Sequence, residues 1–340
     1  MTTSDAVTQA VGRLAGRQPG VAVAVAGVGA DPLLAWAVTS ERPAGPAVRA
    51  DTLFEIGSIT KVFTSLLLAD AVTRGELHLD TPLSALVPAG VRVPARGGRW
   101  ITLRHLATHT SGLPRSPLGT GAELRSVVTQ ANPYATLTTG ALYEALISAR
   151  LRGTPGEGPV KYSNFGAALL GQALVVATGA ADFGDLLRAR IAEPLGLADT
   201  VAAVPPEQRS RLATGHGWLG RTTPHWRLTG MAGAGALLSS VTDLLTFLRA
   251  QLRPAETPLG PAIALTQQEQ VAGGRTGIGL GWLHAPLDGA TMLWHNGGTG
   301  GFRSFAAAVP ERGVGVAVLV NGRRSPDLAG LRLLRAAALG

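Results

Sequence analysis

The segments of this chain that suit β-strands lie at its two ends, and the stretch between them patterns as helix. Near the start, Val21 to Val28 and Leu33 to Val38 are Val-rich or alternating runs. The turn chemistry of Gly29-Ala30-Asp31-Pro32 between them predicts a hairpin. Near the end, Gly279 to His284, Thr291 to His295, Phe302 to Val309 and Val314 to Asn321 form a second set, separated by Gly-rich turns and by Pro310-Glu311-Arg312-Gly313. Helical periodicity marks Asp5 to Arg17, Ser58 to Thr73, Thr139 to Arg150, Ser163 to Thr178, Phe183 to Ile191 and Asp327 to Leu339. A further helix starts near Val241, with Ser240 and Asp243 as cap residues. Hairpin connections build antiparallel sheets. The expected fold is α+β: one antiparallel sheet built from both chain ends and flanked by helices. Residues 1–76 and 230–340 supply the sheet and its helices, and 77–229 form a mainly helical insertion. A cleft between two such parts is a natural place for chemistry.

Composition narrows the class. The chain has 340 residues, 46% hydrophobic and 15% charged, enough for a sizeable core and against disorder. The absence of cysteine removes disulfides, cysteine nucleophiles and thiolate zinc sites together. A net charge of +8 raises the question of nucleic acid. The arginines are scattered, with no dense basic block and no aromatic-basic interleaving, so no nucleic-acid partner is expected. The most apolar early run, Gly20 to Val28, is too short to span a bilayer and lacks the basic flank of a signal peptide. The reading is therefore no transmembrane segment, and a cytoplasmic chain or a mature form already stripped of a leader.

Only two of the 30 basic residues are lysines, Lys61 and Lys161. A chain that writes nearly every cation as arginine and keeps lysine at 61 has kept a group that can lose its proton, which arginine cannot do. Lys61 stands three residues after Ser58, on the same face of the expected helix. A serine needs a base beside it to become a nucleophile, and a desolvated lysine can be that base. The plainer reading is a helix-capping serine followed by a solvated lysine. Against it, Val62, Phe63, Leu66, Leu67 and Leu68 predict a helix buried around Lys61.

Two further motifs carry chemistry. Tyr162-Ser163-Asn164 precedes an apolar helix. Structurally it reads as an anchored loop with Asn164 as cap. Functionally, Tyr162 is a phenol able to shuttle a proton between serine and leaving group, with Asn164 as an amide that fixes Lys61 and a carbonyl. His295-Asn296-Gly297-Gly298 reads as a strand ending in histidine and a glycine turn, which lets a backbone N–H approach a reacting carbonyl. His105 and His109 have i,i+4 spacing without the glutamate of a zinc helix, and no metal site is expected. Ser111 beside His109 is a weaker nucleophile candidate, in a loop that reads as structural and lining the cleft. No Gly-x-Ser-x-Gly elbow is present, which argues against an α/β-hydrolase.

In this order and spacing the motifs resemble those of the serine β-lactamase and penicillin-binding-protein superfamily, in its class C β-lactamase, D,D-peptidase and esterase branch. The strings Leu103-Arg104-His105-Leu106-Ala107-Thr108-His109-Thr110-Ser111-Gly112-Leu113-Pro114, Glu193 to Thr200, Ala236 to Leu244 and Gly279 to Trp282 are similar to others of that family. The resemblance covers about residues 18–322 and implies a β-lactamase/transpeptidase-like fold. It implies Ser58 as acyl-accepting nucleophile, Lys61 and Tyr162 sharing base and acid duties, and Asn164 orienting Lys61 and substrate. It also implies an oxyanion hole from the N–H groups of Ser58 and Gly298, with Gly297 and His295 on the substrate-binding strand.

His295 stands where true β-lactamases of this family have lysine. A mostly neutral imidazole is a poorer carboxylate anchor, which favours ester, amide or acyl-transfer chemistry over efficient β-lactam hydrolysis. Protonation near the ordinary histidine value of about 6.5 is expected to restore a cation on mild acidification. The function read from the sequence is a serine acyl-enzyme hydrolase without a cofactor. It acts on a small-molecule acyl substrate (an ester, an amide or a D-amino-acyl peptide) through a covalent Ser58 intermediate. The alternatives are a transacylase with an amine or alcohol acceptor and a non-catalytic penicillin-binding sensor. The presence of Ser58, Lys61, Tyr162 and Asn164 together argues against the sensor.

Overall fold

Strand alternation decides how the sheet is covered. The computed structural model describes residues 3–15, 19–27, 33–38, 47–119, 121, 129, 131–273 and 276–339. The expected turn Gly29 to Pro32 lies outside them. Strands β1 (Gly20–Gly27), β2 (Leu33–Val38), β3 (Gly277–Ile278), β4 (Leu283–Leu287), β5 (Ala290–Gly298), β6 (Arg303–Val309) and β7 (Val314–Val320) form a seven-stranded sheet in the order β2-β1-β7-β6-β5-β4-β3. Every neighbouring pair is antiparallel, and the chain ends meet where β1 pairs β7, from Val21 opposite Val320 to Gly27 opposite Val314. This is the α+β fold expected from the strand placement.

Both faces of the central strands are buried. In β1, Val21, Val23 and Val25 face one way and Ala22, Ala24 and Ala26 the other, as a period of two requires. The valine face packs with Val7, Val11 and Leu14 of helix α1 (Thr3–Ala15) and with Leu333 and Leu334 near the chain end. The alanine face joins the larger core, where Ala24 and Ala317 share one apolar cluster with Leu106, Leu142, Leu169, Phe247 and Leu248. Small side chains on that face let helices approach the sheet closely.

The longer helices after α1 are α2 (Thr60–Thr73), α3 (Thr139–Ile147), α4 (Asn164–Thr178), α5 (Val241–Leu252) and α6 (Asp327–Leu339). Ser240 caps α5 by accepting the Asp243 N–H at 3.1 Å. The Asp243 carboxylate turns elsewhere, to the Asp199 N–H and the Thr200 hydroxyl, both at 2.8 Å. Among the described residues no single helix is long and apolar enough to cross a membrane.

Two of the differences from the sequence reading concern β4 and β5. The run Gly279 to His284 is not one strand, because the Gly279 N–H bonds the Trp282 carbonyl at 2.9 Å and closes a turn between β3 and β4. Strand β5 does not stop at His295. It continues through Gly297, opposite Ser304, and Gly298, opposite Arg303.

That extension brings the sheet against the segment before α2. The Ser304 hydroxyl donates to the Ile56 carbonyl at 2.8 Å, while the Ile56 N–H bonds Leu237 O at 3.0 Å and Phe54 pairs with Ser239. Gly57 has φ +52°, and a Cβ there would stand 2.6 Å from the Gly298 nitrogen. A Cβ on Gly297 would stand 2.0 Å from Ile56 O. Only glycine permits this contact. Gly297→Ala should therefore push β5 away from Ile56. The expected cost is about 1–3 kcal/mol by urea denaturation, with roughly 10²-fold or more lost from ester turnover.

Candidate active site

Ser58 sits in a single 3-10 turn, Gly57–Ile59, that leads straight into α2. One turn later Lys61 is 2% exposed, as the apolar context predicted. Its Nζ donates to Ser58 Oγ at 3.0 Å and to the Ala234 carbonyl at 2.6 Å. The neighbouring Gly233 carbonyl accepts from Thr64 Oγ1 at 2.7 Å, so two successive carbonyls of the turn Ala232–Gly235 are bonded to α2. Burying an amine is costly unless its protons are placed. Here they point at Ser58 Oγ and at a backbone acceptor that no motif could reveal.

Tyr162 lies over the same amine, with Lys61 Nζ 4.9 Å from its ring centroid. Arg115 approaches the ring at 5.1 Å, and the His295 ring centre is 6.1 Å away. Asn164 is the first residue of α4 rather than its cap. The cap is Ser163, whose Oγ accepts from the Gly166 N–H at 2.9 Å and donates to Pro114 O at 2.7 Å. The Asn164 N–H bonds Arg115 O at 2.9 Å, which ties the start of α4 to the loop after Leu113.

The Leu103 to Pro114 string contributes more than a wall. His109 is 4% exposed, and its ring centre is 4.6 Å from that of Tyr162. Its i,i+4 neighbour His105 turns away to accept the Thr102 N–H through Nδ1, so the two imidazoles do not converge. Ser111, weighed as a second nucleophile, uses its Oγ to accept the Leu113 N–H at 3.3 Å and shapes a turn.

His295 is 1% exposed. Its Nδ1 bonds the Asn296 carbonyl at 2.7 Å, so Nδ1 carries the proton and Nε2 is a bare acceptor, buried and without a partner among the described residues. Burial, and then the charge of Lys61, push its pKa down to about 3. The expectation that mild acidification restores a cation at this position is therefore wrong. The unperturbed value belongs to a solvated imidazole, and this one has lost its water to the core. Gly298 completes the group, its nitrogen against Gly57 at the base of Ser58. Ser58, Lys61, Tyr162, His295, Gly297 and Gly298 thus converge from three separate stretches of chain.

Comparison with known proteins identifies the family. Residues 5–340 match the protein family described as Beta-lactamase. The chain is 31% identical over 291 residues to the D-alanyl-D-alanine-carboxypeptidase/endopeptidase AmpH of Escherichia coli, covering 81% of this chain and 72% of that protein. It is 32% identical over 307 residues to penicillin-binding protein 4 of Amycolatopsis lactamdurans, covering 83% and 75%. A β-lactamase/D-alanine carboxypeptidase of Yersinia pestis, solved with citrate, superposes with a TM-score of 0.82 at 27% identity, covering 99% of this chain and 98% of the other. A buried lysine bonded to a helix-start serine, on this sheet and within this family, leaves one assignment: the chain belongs to the β-lactamase family and is a serine hydrolase.

Proposed function

We propose that the protein hydrolyses small esters, amides or D-amino-acyl peptides through a covalent ester at Ser58. The observation that carries this reading is the 3.0 Å hydrogen bond from Lys61 Nζ to Ser58 Oγ inside a buried setting. Tyr162, over the same amine, relays the proton between Ser58 and the leaving group, and Lys61 and Tyr162 act as one unit. The backbone N–H groups of Ser58 and Gly298 take the developing oxyanion, and Asn164 orients Lys61 and the acyl group. Similarity to a D-alanyl-D-alanine carboxypeptidase supports the D-amino-acyl member of this substrate class.

Intact-mass analysis after exposure to an ester, amide and β-lactam panel tests the covalent step. Wild type should gain one acyl mass and Ser58→Ala none. Turnover by Ser58→Ala should fall by several orders of magnitude, to the roughly 10³–10⁴ over water that binding and an oxyanion hole retain. Turnover near wild type in that variant would sink the reading.

The proton-transfer unit makes a second demand. Lys61→Arg should be nearly as damaging as Lys61→Ala, because arginine keeps the charge and cannot accept a proton. Adding Tyr162→Phe to Lys61→Ala should cost far less than it does in wild type, since the two residues form one relay. Steady-state kinetics on the three single variants and the pair decide this.

Substrate preference follows from His295. A neutral imidazole gives the site no permanent cation at the position where relatives with lysine have one, so activated short-chain esters should exceed penicillins in kcat/KM. Because the His295 pKa lies near 3, the ring stays neutral throughout the range from pH 8 to pH 5. β-Lactam acylation should show no acid-side gain across that interval. A rise of tenfold or so between pH 7 and pH 5, absent in His295→Gln, would show that the ring does protonate.

A further inference from the structure

We infer that His109 is a positioning residue for Tyr162, holding the phenol in register with Ser58 and Lys61. The inference rests on the reading of Tyr162 as the proton carrier.

His109 has three properties that its loop does not need. Its backbone is left-handed, at φ +57°, a conformation uncommon outside glycine, though histidine, asparagine and aspartate enter it more readily than other residues. Its imidazole is buried. Its Nδ1 accepts the Ser163 N–H at 3.3 Å, so the ring is the Nε2–H tautomer. The loop itself is already tied by backbone bonds: Lys161 N to His109 O at 2.9 Å, Thr110 N to His105 O at 2.9 Å and Gly156 N to Thr110 O at 2.9 Å. The side chain therefore adds something beyond loop closure. It fixes the peptide that follows Tyr162 and packs against the Tyr162 ring at 4.6 Å and 46°.

The two imidazoles beside Tyr162 have opposite tautomers. His109 presents Nε2–H, and His295 presents a bare Nε2. Burial first, and then the charges of Lys61 and Arg115, hold the His109 pKa well below the ordinary histidine value, and His295 is the other titratable group that faces it. Its Nδ1 lone pair therefore stays available to Ser163 at neutral pH. A protonated ring would lose that bond and place a second cation beside Lys61.

The test compares His109→Gly, His109→Asn and Tyr162→Phe by two readouts. One is the rate of Ser58 phosphonylation by a fluorophosphonate between pH 5 and pH 9. The other is the split of kcat and KM on a nitrophenyl ester. Glycine relieves the left-handed strain, so folding is not endangered. His109→Gly should slow phosphonylation roughly tenfold to a hundredfold, shift its pH profile, and lower kcat with KM little changed. His109→Asn should recover part of the rate, because asparagine tolerates positive φ and its Oδ1 can accept the Ser163 N–H. A slow Tyr162→Phe beside a His109→Gly enzyme of parental rate and pH profile overturns the assignment of His109 and leaves the proposed function standing. A Tyr162→Phe enzyme at full rate removes the reading of Tyr162 as proton carrier and, with it, this inference. Equal slowing in both His109 variants, with lowered melting temperatures and an unshifted pH profile, assigns His109 to loop stability and also overturns the inference.

Discussion

The arrangement of this molecule turns on one buried amine. Lys61 Nζ reaches Ser58 Oγ at the start of α2 and Ala234 O in the turn Ala232–Gly235 at the same time, while the end of β5 packs against Gly57 beside them. An amine taken out of water is tolerated only when its surroundings supply acceptors. That requirement couples the site to the fold. The carbonyls that satisfy α2 belong to a turn more than 160 residues further along the chain. The strand that closes the other side is β5, Ala290–Gly298, more than 220 residues beyond Lys61.

The same amine sets the electrostatics around it. Burial and the charge of Lys61 act together on both imidazoles beside Tyr162, and both are held neutral. The site brings together Lys61, Arg115, a phenol, and two histidines that serve as hydrogen-bonding and packing groups. Charge in such a site is felt strongly because little water remains to screen it. A second permanent cation at 295 would work against Lys61. The neutral imidazole avoids that repulsion and gives up the anchor that a lysine there would supply.

Much of this was legible in the chain. The period-two valine and alanine runs are what a sheet buried on both faces requires, and they placed its strands at both ends. Ser58 and Lys61 were legible because an apolar helix around a rare lysine has few innocent explanations. Tyr162 and the Gly297-Gly298 pair were legible only in context, since each has a plain structural reading alone. The plain structural reading of Asn164 as a cap fails because serine and asparagine compete for that position, and Ser163 wins by reaching both Gly166 and Pro114. His109 carried a signal, in a quoted string and a doubtful metal spacing, but nothing local says which way an imidazole in a left-handed loop will turn.

The sequence by itself determined the secondary elements, the burial of Lys61 and the residue types able to do acyl transfer, because these follow from local periodicity and side-chain chemistry. Only the tertiary structure decided the acceptor at Ala234, the depth to which β5 runs past His295, and the protonation state of the two histidines. A backbone carbonyl has no signature in sequence. A strand ends where its partner stops offering hydrogen bonds. A pKa is set by how much water the assembled core removes, a sum over neighbours that come from distant parts of the chain.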